Sequence, residues 1–184
     1  IDLYNEASVQ YELAIFLRQK IGTGYTVQLE RNIDFFGLDK RNFLKKEMDI
    51  IIFSLDGSEK HCIELKYPTN GQYPEQMFSA CKDVFFLEQL VSRGGFGVSF
   101  FVMFAEDPLF YTTKRAKSGI YEKFRGKKIL EGEIEKPTGT DKQTIDLKGS
   151  YSFSWEEILV NEKKLKYFLV QVDSSSIKPL AKIF

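Results

Sequence analysis

The chain has little imidazole or thiol chemistry to spare: one histidine and two cysteines in 184 residues. A lone His61 excludes a metalloprotease histidine pair and any histidine-rich metal site. Cys62 and Cys81 cannot build a four-thiolate zinc site or a disulfide framework, so both are expected as small core residues in a reducing, cytoplasmic setting. No apolar run approaches the roughly 20 residues that a spanning helix needs, and no membrane association is expected. The opening residues IDLYNEASVQ lack the basic, apolar and small-residue segments of a secretory signal. Net charge is absent too, with 26 Lys+Arg against 26 Asp+Glu. No global field announces a nucleic-acid binder, so any such binding must rest on local patches.

Three short basic clusters are present: Lys40, Arg41, Lys45 and Lys46; Lys114, Arg115 and Lys117; and Arg125, Lys127 and Lys128. Clustered surface charge is usually a solvated face, and of the three the Lys114, Arg115 and Lys117 group is the candidate for phosphate contact. The 43% hydrophobic content is ordinary for a globular protein, and the length suffices for one substantial core. One domain over residues 1–184 is expected, with a core at 1–106 and a C-terminal extension at 107–184.

Along the chain, residues 5–20 carry Val9, Leu13, Phe16 and Leu17 at helical spacing and end at GTG. YTVQLERNI follows as a strand, then a loop with Phe35, Phe36 and Phe43, then the hairpin EMDIIIFSLDGSEKHCIELK. Pro74 opens a long helix that Gly94 and Gly95 close, and FGVSFFVMFA reads as a strand buried on both faces. Helix, three strands, helix and strand make an α/β mixed sheet flanked by helices. After residue 107 the signals weaken. A short helix at 113–124, a turn at EKPTGTDK, and strands in TIDLKGSYSFSW and KLKYFLVQV are expected in the extension.

The hairpin carries four charged residues inside two apolar runs. With Asp56-Gly57 as a two-residue type I′ turn, Asp49 falls opposite Glu64 and Glu47 opposite Lys66. All four then share one face, while Met48, Ile50 and Ile52 meet Leu65, Ile63 and His61 on the other. His61 is accordingly expected to be a packed side chain. Two carboxylates side by side repel unless a cation lies between them. Magnesium, with manganese as a substitute, is the natural occupant, because a hard ion takes carboxylate oxygens together with water and phosphate. Lys66 would hold its ammonium over the same spot, to orient or activate water and to stabilise charge building on a phosphate. The bland alternative is a solvent-facing ribbon with a Glu47–Lys66 ion pair, and for Glu47 a surface pair is the preferred reading.

Asp49 followed by Glu64-Leu65-Lys66, placed on paired strands within that order of elements, resembles the PD-(D/E)XK nuclease superfamily with its restriction-endonuclease-like core. Met48 stands where the family often has proline. The resemblance implies Asp49 and Glu64 as metal ligands, Lys66 as the lysine of the motif, and a supporting carboxylate on the first helix. Glu6 lies nearer the inward face than Glu12 and is the better match, with Gln10 one turn on facing the same cleft. It also implies Gln76, on the second helix, as a polar residue near the nucleic-acid backbone. The expected activity is magnesium-dependent hydrolysis of phosphodiester bonds by an endodeoxyribonuclease of restriction or defence type, with DNA as partner and a homodimer as one possible state. A ribonuclease and a non-catalytic nucleic-acid-binding or scaffold module of the same fold stand as alternatives.

Overall fold

The computed structural model describes residues 3–112, 119–140 and 142–177. Lys114, Arg115 and Lys117 lie outside the described residues. Asn5 starts helix α1 (Glu6–Lys20) through a reciprocal capping box: its side chain accepts from the Ser8 N–H at 2.8 Å, and the Ser8 hydroxyl accepts from the Asn5 N–H at 3.1 Å. Val9, Gln10 and Ala14 are buried, and Leu13 and Leu17 pack beside them. Phe16, expected on that face, is 52% exposed. The buried arc is centred roughly 70° round the helix from Val9, so it takes in Glu6, Leu13 and Leu17 and leaves Phe16 outside.

Strands β1 (Tyr25–Asn32), β2 (Glu47–Ser54) and β3 (Lys60–Lys66) pair antiparallel. Helix α2 (Tyr73–Arg93) then crosses over to β4 (Ser99–Ala105), which pairs parallel with β3, as a parallel neighbour requires. After a short helix α3 (Gly119–Tyr121) come β5 (Ile129–Glu135), β6 (Thr144–Ser152), β7 (Glu156–Val160) and β8 (Lys163–Val172). The main sheet has six strands in the order β1-β2-β3-β4-β8-β7, and β5-β6 form a separate ribbon. The chain is therefore α/β, with a mixed sheet flanked by helices. The end of the extension continues the core sheet, since β8 lies antiparallel against β4.

Each sheet face has its own core. Val9, Ala14, Val27, Ile50, Ile63 and Leu65 pack under α1. Ile51, Cys62, Phe101 and Met103 pack with Val84, Leu87 and Leu90 of α2, and Leu130, Ile134, Ile145 and Leu147 of the ribbon join them. Glu88 of α2 is 3% exposed and ties the ribbon down by accepting from the N–H groups of Lys148 (3.0 Å) and Gly149 (2.7 Å) and from the Tyr151 hydroxyl (2.8 Å). Cys62 and Cys81 are buried and free. His61 is half-buried, with Nδ1 2.8 Å from the Val98 carbonyl oxygen. Among the described residues no helix is long and apolar enough to cross a membrane.

The hairpin turn differs from expectation. The loop spans residues 55–58 and closes with the Ser54 N–H donating to the Glu59 carbonyl at 3.0 Å. Gly57 has a positive φ (73°) and Asp56 does not, whereas a type I′ turn needs both. The Asp56 carboxylate organises the wider loop by accepting from Ser54 Oγ (2.6 Å), the Ser58 N–H (3.0 Å) and Ser58 Oγ (2.8 Å). Because the loop widens by one residue on each side, the register survives: Ile52 opposes His61, Ile51 Cys62, and Ile50 Ile63.

Candidate metal centre

The ladder between β2 and β3 ends at the Ile50–Ile63 pair. Beyond it side chains take over the backbone's hydrogen bonds. Asp49 Oδ2 accepts from the Leu65 N–H at 2.7 Å, and Glu64 Oε1 accepts from the Asp49 N–H at 3.3 Å. The two carboxylates are thus crossed over a parted pair of strands, on the face that α2 covers.

Glu64 is fully buried, and Asp83, from the inward side of α2, is 3% exposed. Lys45, just before β2, places its ammonium between them, in a short ion pair with Glu64 Oε2 and 2.9 Å from Asp83 Oδ1. Lys66 Nζ lies 3.6 Å from Asp83 Oδ2 and 3.5 Å from Glu6 Oε2. Glu6 reaches this point from α1 and also accepts the Tyr67 N–H at 2.9 Å. Its place is beside Lys66 at the end of β3, and Glu12 makes none of these contacts.

Burial sets the electrostatics. It raises the Asp49 carboxyl to about 6 against the pull of Lys45 and the Leu65 N–H. Burial and the neighbouring Asp49 push Glu64 well above the usual carboxylate range. Burial alone would lower both ammoniums, but Glu64 and Asp83 raise Lys45 well above its ordinary value, and Asp83 and Glu6 raise Lys66. Both lysines therefore stay charged, and the acids are short of positive partners.

Asp49, Glu64, Lys66 and Glu6 are brought together as the sequence suggests. Glu47 is not part of the group. It is exposed and opposes Asn32 of β1, because the parted strands no longer hold it against Lys66, and the expected Glu47–Lys66 pair is absent among the described residues. Gln10 faces the same region but is not open to a nucleic acid. It is 8% exposed, on the inward arc of α1, and its amide donates to the Asp49 carbonyl (2.6 Å) and to Glu30 Oε1 (2.7 Å). Gln76 sits in the first turn of α2 with its amide 3.3 Å from Asn70 Oδ1, apart from these contacts.

Two residues of the cluster escape the sequence reading. Asp83 has a signal, a carboxylate on an otherwise apolar helix face, but Glu88 shows the same signal in a purely structural role. Lys45 is hidden in a basic cluster whose neighbours Lys40 and Arg41 pair with Asp34 and Asp39 near the surface.

The residues suit a divalent cation. Asp83 Oδ2 is buried and accepts no hydrogen bond, with the Lys66 ammonium 3.6 Å away, so it keeps unused acceptor capacity. Asp49, Glu64, Asp83 and Glu6 outnumber Lys45 and Lys66, so the cluster has more acidic groups than resident cations. All the donors are carboxylate oxygens, the set that hard ions such as Mg²⁺ and Mn²⁺ take. As the side chains stand, no group of three or more His, Cys, Asp or Glu among the described residues is arranged to hold an ion; Lys45 takes the oxygens of Glu64 and Asp83 that would face it. The chain matches no family model, no curated protein and no solved structure.

Proposed function

We propose that the chain is a magnesium-dependent nuclease with a PD-(D/E)XK active site and a restriction-endonuclease-like core, hydrolysing phosphodiester bonds in DNA. One observation carries the reading: Asp49, Glu64 and Lys66 converge where β2 and β3 part, beside a buried oxygen of Asp83 that accepts no hydrogen bond. Structural carboxylates normally end up fully paired, as Glu88 does.

Asp49 and Glu64, with Asp83 beside them, would hold the ion. When bound, it supplies Lewis acidity toward a phosphodiester oxygen and makes a nearby water more acidic. The protein's part is orientation and charge. The Leu65 and Asp49 N–H groups fix the two carboxylates without side-chain freedom, and Gln10 braces the Asp49 backbone from beneath. Lys66 is held between Asp83 and Glu6 and kept protonated, so it suits stabilising a phosphate that gains negative charge better than removing a proton from water. Glu6 keeps that ammonium in place and is a positioning residue.

A second reading, a nucleic-acid-binding module of the same fold without catalysis, draws on the ion pairs that Lys45 makes with the acids. Incubating the protein with plasmid DNA, linear DNA and RNA in magnesium and in EDTA separates the two. Cleavage in magnesium that EDTA stops, and that Asp49→Ala loses, is the expected result. RNA cut in preference to DNA would reassign the substrate, and cleavage of neither would favour the module.

A further inference from the structure

We infer that Lys45 is a resident counter-ion that holds the cation position of the Asp49, Glu64 and Asp83 cluster and must be displaced before a divalent ion can bind. The inference deepens the metal-site reading and rests on it.

The geometry has three parts. Lys45 bridges a carboxylate of the sheet, Glu64, to a carboxylate of α2, Asp83, and so stands where an ion shared by the two would stand. The acids on either side are enclosed, with side-chain exposures of 0% and 4%, while Lys45 is 29% exposed, so the ammonium has a way out that they lack. Its backbone need not move with it. The Leu44 N–H donates to Gln89 Oε1 at 2.8 Å, and the Lys46 carbonyl accepts from the Ile33 N–H at 2.9 Å, which pins the segment on both sides of Lys45. Four methylenes on a fixed anchor let the charged end swing while the loop stays.

Lys66 differs. It is 15% exposed, is held between Glu6 and Asp83, and touches the Asp83 oxygen that lacks a hydrogen bond. The two lysines thus divide the work: Lys66 remains at the site and Lys45 leaves it. In the metal-free state Lys45 screens the repulsion between acids that would otherwise push α2 from β3. A divalent ion takes over that task, and its apparent affinity is lowered by the fraction of time the ammonium is in place.

Calorimetric titration with manganese tests this on the full chain. Lys45→Met removes the competitor while keeping an unbranched side chain. It should tighten manganese binding on the order of ten-fold or more, and manganese should raise its melting temperature more than that of the parent. Lys46→Met, a change at an exposed neighbour, should bind like the parent. Affinity equal to or weaker than the parent's in Lys45→Met would overturn the inference, as would no manganese binding by either protein. Equally decisive against it would be tight binding that survives Asp49→Ala in the Lys45→Met background, since the ion would then lie elsewhere.

A second measurement needs no variant. Acetylation of the parent by an amine-reactive reagent, read residue by residue by mass spectrometry, should be slow at Lys45 without metal and faster with manganese, relative to Lys46. A Lys45 rate unmoved by saturating manganese would overturn the inference even if the variant failed to fold. The nuclease reading fails separately: a parent that cuts neither DNA nor RNA, with Lys45→Met still tightening on manganese, leaves the resident counter-ion standing and removes the catalysis.

Discussion

Asp49 and Asp56 belong to the same hairpin and are opposite in almost every physical respect. Asp56, at the turn, is solvated, and its carboxyl is drawn down to about 2 by the Ser54 hydroxyl and by the Ser58 N–H and hydroxyl. Asp49, where the strands part, has one hydrogen bond from Leu65 and a carboxyl that burial lifts to about 6. A carboxylate that shapes the chain is surrounded by donors. Asp49 is buried with too few of them, the deficit that the proposed metal site would fill from outside the chain.

Removing each carboxylate sharpens the contrast most. Asp49→Ala and Glu64→Ala should each lose manganese binding, read by calorimetry, and cleavage by about 10²-fold or more, read as plasmid nicking. Asp56→Ala should leave both unchanged and cost only stability. Equal damage from Asp56→Ala would erase the distinction between the two ends of the hairpin.

Lys66→Ala comes next. It should keep or tighten manganese binding, because a cation beside the ion is gone, while cleavage falls on the order of 10²-fold. Cleavage at the parent's rate would mean that the Lys66 ammonium takes no part in the chemical step.

These effects fall on residues unequally visible in the sequence. Asp49, Glu64 and Lys66 were legible because a strand alternates: with the register anchored at Ile50–Ile63, all three fall on one face whatever the exact turn. The same logic failed at Glu47, since alternation assumes strands that stay paired and these part at the site. Glu6 was legible from the helical wheel, and Phe16 was misplaced by it, because the wheel shows the width of an apolar stripe better than its centre. Asp83 and Lys45 depend on how α2 and the loop before β2 settle on the sheet, which no local pattern records. In the extension, β5 is interrupted by Gly132 in a positive-φ bulge, and β7 is a largely exposed edge strand. Both therefore lack the clean apolar alternation that made β8 readable.

Stability against pH gives a smaller effect. The Asp49 carboxyl is raised in the folded state, so between its ordinary value of 3.8 and about 6 the folded chain binds more protons than the unfolded one, and its contribution turns unfavourable as pH rises through that window. Asp49→Asn keeps an acceptor for Leu65 and removes the buried charge. Without divalent ions at neutral pH it should be more stable than the parent by about 1 kcal/mol in urea unfolding, even as metal binding is lost. A less stable variant would mean that the charge is well paired and the deficit absent.

Asp56 should behave in the opposite sense. Its depressed carboxyl contributes stability that is present above its ordinary value of 3.8 and lost only as pH falls through about 2. Carbon-detected NMR titration should find Asp56 still ionised at pH 3. Glu47→Ala should be the mildest change of all, within about 0.5 kcal/mol of the parent and without effect on cleavage.

The most direct test of the central claim, that the parted end of the hairpin is a divalent-cation site, is manganese titration of the parent beside Glu64→Ala. Binding by the parent that disappears in the variant is the expected result. Binding of equal strength in both would place the ion elsewhere and contradict the claim.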